Sequence, residues 1–293
     1  MCRFALYVGP AITVDSLTTR PEHSILKQSR DAEEREDPTN GDGFGIGWYV
    51  PEIGPEPALY RSPAPAWNDP NLLHISRVAK SPCILAHVRA ASPGTAVSIA
   101  NCHPFASGPF AFMHNGGIGG FPRIRRRLEA GLSEEAFATI RGTTDSEVAF
   151  ALFLDAYARV KADDASERMV GALTEAVAKI EWTADDAGVT EPSYLNFAVT
   201  DGRRAVVMRY ATPPKMPASL WGCHGRSFVC EGDTCRMRDP GKEGAATIVC
   251  SEPLSRDGDW QKVPAQNMVV VRGGGDAELL PIPFNDLTRS VVA

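Results

Sequence analysis

Two helical segments stand in the middle of this chain, and strand-like runs lie on both sides of them. No other feature restricts the fold as much. Residues 143–160 read TTDSEVAFALFLDAYARV. Thr144 as N-cap and Glu147 three residues later form a capping box, so a helix starts there. Its apolar residues cover almost every side, which predicts deep packing. A second helix runs through ERMVGALTEAVAKIEW (residues 167–182). Before the pair lie Phe4–Val8, the turn and strand of Asn40–Val50, the buried run Cys83–Ala90, and Phe110–His114 breaking into a glycine turn. After it come YLNFAVT, RAVVMRY, SFVC, ATIVCS and MVVVR. Strands and helices do not alternate, which disfavours a parallel doubly wound sheet. Stacked, largely antiparallel sheets with helices outside fit the order better.

The expected organisation is one domain over residues 1–293, because no internal repeat occurs and the loops Ala184–Pro192 and Pro213–Pro217 read as turns within it. A chain that is 43% hydrophobic can fill a core of that size. No apolar run is long enough to span a bilayer, and the start lacks a secretory pattern, so a cytoplasmic protein with no membrane partner is expected. The net charge of −6 argues against nucleic acid. The basic run Arg123, Arg125, Arg126 and Arg127 reads as the solvated start of a helix after Pro122, and RDAEERED as a solvated turn or helix. Seven cysteines at irregular spacing argue against a disulfide framework. Cys223, His224, Cys230, Cys235 and Cys250 are the one metal-like cluster, and no C-x-x-C pair occurs among them, which argues against structural zinc.

The chain opens MCRFALYVG. Removal of Met1 would leave Cys2 with a thiol and a free α-amine on one residue. A thiol with a pKa of about 8.5 needs a base at neutral pH, and a terminal amine at roughly 7.7–8.0 can serve. In FMHNGG, the Asn115 side-chain amide and the Gly116 N–H could stabilise an oxyanion, although Asn-Gly is also a common hairpin turn. Arg89 in AHVRAAS could grip a carboxylate, or belong to a structural ion pair. Asp145 in TTDSE could accept an ammonium, or simply suit the positive end of a helix. His87, His103 and His114 lie nearby at separations that match no compact metal motif, and read as supports for strand ends, with His103 and His114 possible neighbours of the site. A Cys/His pair would need one of them to reach a cysteine across the fold. The glycines of NGDGFGIGWYV follow neither the dinucleotide nor the phosphate-loop spacing; within a strand they mark close approach of another backbone or a ligand.

Taken in order, MCRF, NGDGFGIGWY, HVRAAS, NCHPF, FMHNGGI and TTDSE closely resemble the class II glutamine amidotransferases, which are N-terminal-nucleophile hydrolases. The nearer likeness is to the stand-alone DUG-type subgroup associated with glutathione degradation. TRPEHSI, PAWND, EPSYLNFAVTDG, SEPL and DWQKVP carry it along nearly the whole chain. The resemblance implies a four-layer αββα sandwich of two mainly antiparallel sheets, an α+β fold. It implies Cys2 as nucleophile, Asn115 and Gly116 as the oxyanion hole, Arg89 and Ser92 at the substrate carboxylate, and Asp145 at its ammonium. Glu147 is read as a cap. Neither metal nor cofactor is implied. The implied reaction is hydrolysis of a γ-glutamyl amide, in glutathione, a related peptide or glutamine, with a peptidase-like partner subunit. An ergothioneine-pathway γ-glutamyl conjugate hydrolase, a silent γ-glutamyl-binding scaffold and a zinc-stabilised interaction module are the alternatives.

Overall fold

A computed structural model describes residues 2–34, 38–92, 94–232, 234–239, 246–256 and 260–283. The first strands are β1 (Arg3–Thr13), β2 (Phe44–Trp48), β3 (Ala58–Ser62), β4 (Lys80–Val88), β5 (Phe105–Ser107) and β6 (Phe110–Gly117). After the central helices come β7 (Tyr194–Thr200), β8 (Ala205–Ala211), β9 (Trp221–Gly225), β10 (Ser227–Glu231) and β11 (Thr234–Arg238). The last are β12 (Ala246–Cys250), β13 (Gln261–Lys262), β14 (Asn267–Val271) and β15 (Ala277–Pro281). Helices are α1 (Asp15–Thr18), α2 (Ile25–Arg30), α3 (Pro70–Val78), α4 (Phe121–Ala130), α5 (Glu134–Phe137), α6 (Asp145–Arg159) and α7 (Ala165–Asp186).

Two large antiparallel sheets result, beside a separate β10–β11 hairpin. One has the order β13-β9-β12-β1-β4-β2-β3, the other β15-β14-β8-β7-β6-β5. Alternation along each central strand explains why they stack. In β1, Phe4, Leu6 and Val8 enter a core shared with Met113, Ala198 and Val207 of the second sheet. Ala5 and Tyr7 point the other way, toward Leu17, Ile25 and Leu72 of α1, α2 and α3. In β6, Ala111 and Met113 face the inter-sheet core, while Phe110 and Phe112 pack on α6 and α7. Both faces of these strands are therefore apolar, and each sheet is covered on both sides. The layers are helix, sheet, sheet, helix, as expected for the α+β sandwich.

The capping box of α6 forms as read from sequence, with Thr144 and Glu147 satisfying each other's backbone N–H groups. The arginine run does open a helix, α4, where Arg125 pairs with Glu129 and Arg127 with Asp186 of α7. The second helix is longer than its apolar pattern, ending at Asp186 inside the expected loop. Of the acidic run, Ala32, Glu33 and Glu34 are non-helical, and residues 35–37 lie outside the described residues.

Two expectations need correction. FMHNGG is not a turn: β6 continues through Asn115, Gly116 and Gly117, paired with Asn196, Leu195 and Tyr194. The backbones approach so closely that a Cβ on Gly116 would lie 1.8 Å from the Tyr194 carbonyl oxygen. Cysteine spacing also missed one disulfide. Cys230 and Cys235 are direct cross-strand partners in the β10–β11 hairpin, with Cα atoms 4.0 Å apart. Hairpin register brings them together, and nothing in their spacing reveals it. Cys223 and Cys250 are both buried and lie outside that disulfide.

Candidate active site

Strand parity gathers the candidate residues at one rim of the inter-sheet layer. Cys2 continues the inward-facing series Phe4, Leu6, Val8; Arg89 continues Cys83, Leu85, His87; Asn115 continues Ala111, Met113. The β1–β4 register pairs Arg3 with Val88, so Cys2 runs alongside Arg89 and Ala90. The Cys2 thiol donates to the Ala90 carbonyl at 3.6 Å. Ser251, just after β12, ties the second sheet in: its hydroxyl accepts from the Phe4 N–H at 3.0 Å and from the Asn115 amide nitrogen at 3.5 Å.

Arg89 is buried, yet its guanidinium has no carboxylate partner among the described residues. It donates to the carbonyls of Asp42 (3.3 Å) and Ala96 (3.2 Å) and to the Thr95 hydroxyl (3.3 Å). The Asp42 carboxylate is turned to the Ala91 N–H instead. The structural ion pair considered from sequence is thus not what Arg89 makes. A buried cation with only neutral acceptors carries a desolvation cost that an anionic ligand would offset.

Asp145 is the opposite case at the first turn of α6. One carboxylate oxygen accepts the Ile118 N–H at 2.8 Å and the other the Ser146 hydroxyl at 3.2 Å. No cation pairs with it among the described residues. Burial pushes the Cys2 thiol up; the Arg89 charge pulls it down and the Asp145 charge pushes it up further. Both charges therefore act at the sulfur.

Asn115 is completely buried, and its side-chain oxygen has no partner among the described residues. One amide hydrogen is directed at Ser251, which orients the group and leaves the second hydrogen available. Glu147 is fully occupied by the N–H groups of Arg141, Gly142 and Thr144, which is the capping role read from sequence.

The three histidines form the wall behind this rim. His87 bonds the His114 carbonyl at 3.1 Å, and burial holds its ring down at about 3. His103 stacks on His87 and lies tilted against Phe105, and neither of its ring nitrogens has a partner among the described residues. His114 joins the Ser146 hydroxyl at 2.9 Å to the Tyr194 carbonyl at 3.0 Å. Burial lowers all three, so they are neutral at pH 7, and none has the Cys2 sulfur among its hydrogen-bond partners. The carbonyl of His103 explains one glycine of the G-x-G-x-G strand: a Cβ on Gly45 would lie 2.1 Å from it. That is the close backbone approach expected there.

Ser92 is exposed, and its carbonyl rather than its hydroxyl is engaged, holding Thr95. Thr95 is the hydroxyl that touches Arg89, and sequence reading passed over it. Asn101 was also missed. It joins Ala96, in the Arg89 loop, to Thr143, just before α6. Only the NCHPF motif, which begins at Asn101, hinted at it.

The arrangement unites a thiol, a neutral amide donor, a cation and an anion. It suits acyl transfer on a substrate that carries its own ammonium and carboxylate. A family model, glutamine amidotransferases class-II, matches residues 28–288. The chain belongs to the class II glutamine amidotransferases. The amidotransferase is 40% identical to the probable glutamine amidotransferase DUG3 of Saccharomyces cerevisiae, over 93% of this chain and 82% of that protein. It is 26% identical to the γ-glutamyl-hercynylcysteine sulfoxide hydrolase of Mycobacterium tuberculosis, over 94% of both. A solved glutamine aminotransferase class-II domain protein from Silicibacter pomeroyi superposes with a TM-score of 0.67 at 27% identity, covering 96% of this chain and 99% of that one. The amidotransferase is accordingly an amidohydrolase of this family. No helix among the described residues is long and apolar enough to cross a membrane.

Proposed function

We propose that this amidotransferase hydrolyses γ-glutamyl amides through a Cys2 thioester, as a single domain over residues 1–293. The observation that supports this most is that Arg89 and Asp145, two opposite charges at one rim, have no ion-pair partner among the described residues. An α-amino acid head group has the complementary pair.

In this reading Met1 is removed and the α-amine of Cys2 accepts the thiol proton. Sulfur attacks the γ-carbonyl carbon, and the oxyanion is held by the Asn115 amide and the Gly116 N–H. The C–N bond then breaks, and the ammonium returns its proton to the departing amine. Water, deprotonated by the same amine, attacks the thioester. The sulfur leaves and recovers its proton, and glutamate is released. Arg89 holds the α-carboxylate, with the exposed Ser92 completing that end as the substrate enters. Asp145 holds the α-ammonium. His87, His103 and His114 keep the strand ends in place as neutral rings.

Arg89 and Asp145 read the glutamyl head and leave the amine side open. The DUG-type likeness favours glutathione or a related γ-glutamyl peptide, handled with a peptidase-like partner. Glutamine and the sulfoxide conjugate named for the mycobacterial relative are the competing substrates. A glutamate-release panel over glutamine, glutathione and other γ-glutamyl amides tests the proposal, with Cys2→Ala as control. Release that survives in Cys2→Ala, or no release from any of the panel by a chain with a free Cys2 terminus, refutes it.

A further inference from the structure

SEPL and TRPEHSI are parts of the sequence that the mechanism above leaves without a role. The fold brings them together behind the nucleophile. Alternation after β12 turns Ser251 to the inter-sheet side, with Val249, and Glu252 to the helical side, with Cys250. Arg3 lies on that helical side too, in series with Ala5 and Tyr7.

Glu252 is almost wholly buried and carries four interactions. One oxygen takes Arg3 Nε and the Glu34 N–H; the other takes His23 Nε2 at 2.8 Å and the Glu33 N–H at 2.8 Å. The Arg3 guanidinium then donates through Nη1 to the carbonyl of Cys2 at 2.9 Å. On the opposite face Ser251 exchanges two hydrogen bonds with Phe4: its N–H donates to the Phe4 carbonyl and its hydroxyl accepts the Phe4 N–H. The same hydroxyl receives the Asn115 amide. Two adjacent residues thus hold the start of β1, directly after the nucleophile, from both faces, and the oxyanion donor as well.

We infer that Ser251 and Glu252 together form the positioning element of the site, setting the nucleophile through Arg3 and Phe4 and the oxyanion amide through Asn115. This rests on Cys2 and Asn115 acting as proposed above. A buried ion pair is weak support for stability by itself, because desolvation offsets much of its attraction. What it does well is define a geometry. Burial alone would push the Glu252 carboxyl up, but the His23 bond, the Arg3 charge and the two backbone N–H groups hold it down at about 2. The anchor stays charged throughout the working range. A residue that acts on chemistry through position alone should affect turnover and leave head-group recognition, made by Arg89 and Asp145, untouched.

The test compares Glu252→Gln and Ser251→Ala with wild type in steady-state glutamate release and in alkylation of Cys2 by iodoacetamide across pH. Ser251→Ala removes only a hydroxyl, so it keeps the experiment decisive if Glu252→Gln does not fold. The expected result is a kcat at least 10-fold lower in each folded variant, with KM within about 2-fold of wild type. The alkylation–pH profile of Cys2 should shift in Glu252→Gln, because the Arg3 guanidinium that Glu252 holds donates to the Cys2 carbonyl. Normal kcat and an unchanged profile, even with a lower melting temperature, would reduce the pair to a structural role and overturn the inference. If the wild type releases no glutamate, or Cys2→Ala still does, the proposed function fails instead. The alkylation profile then decides the positioning of Cys2 by itself.

Discussion

His103 lies flat against His87, with ring centroids 4.2 Å apart, and neither of its nitrogens has a partner among the described residues. Two buried, stacked imidazoles, of which only His87 has an acceptor, the His114 carbonyl, cannot both be charged. Burial holds His87 at about 3 and His103 well below 6.5. Unfolded, each titrates near 6.5, so between about pH 3 and 6.5 the unfolded chain binds more protons than the native one.

These two rings should therefore make stability fall as the pH drops below 6.5, by up to about 1.4 kcal/mol per pH unit for each ring. Urea unfolding midpoints at pH 7, 6 and 5 measure this. His103→Phe, which keeps the stack, should flatten the decline. Midpoints that do not move between pH 7 and 5 would contradict the neutral-wall account.

Arg89→Ala should mainly raise KM for γ-glutamyl substrates, by roughly 10- to 100-fold, the loss expected for charge-assisted hydrogen bonds to a carboxylate. Asp145→Asn should act in the same direction, because it loses the charge while its one amide oxygen can still accept the Ile118 N–H. Steady-state kinetics with glutathione and glutamine check both. A KM unaltered in Arg89→Ala would remove it from the carboxylate end.

Asn115→Ala should lower kcat by about 100- to 1,000-fold, the usual cost of removing one oxyanion donor. KM should change far less, since the amide acts when charge develops. Single-turnover thioester formation is the direct measurement. An equal loss in binding and turnover would instead mark Asn115 as part of the structural wall.

Gly116→Ala should destabilise the protein by about 1–3 kcal/mol or more, since its Cβ would collide with the backbone at Tyr194 and push β6 from β7. Gly54→Ala, where an added Cβ meets nothing within 4 Å, should be neutral to within about 0.5 kcal/mol. Thermal unfolding of the two variants side by side separates close approach from the general cost of replacing glycine.

Legibility from sequence followed distance along the chain. The α6 start was readable because Thr144 and Glu147 are three residues apart and satisfy each other. The candidate site residues stood out only as an ordered set of short motifs, and the fold brings Cys2, Arg89 and Asn115 to one rim. Asn115–Gly116 was ambiguous, because the same dipeptide makes a hairpin turn unless a neighbouring strand continues past it. Here β7 does.

By itself the sequence determined the central strands, the start of α6, and that a cysteine precedes the first strand. Those are properties of residues two, three or four apart. Tertiary structure alone decided that Arg89 has no acidic partner, that Cys230 meets Cys235, that Glu252 reaches back 249 positions to Arg3, and that Ser251 reaches 136 to Asn115. Such pairings depend on the order and register of strands within the two sheets. Alternation and turn geometry limit the register of a strand, but which strands pair, and so which distant residues meet, follows only from packing the two sheets together.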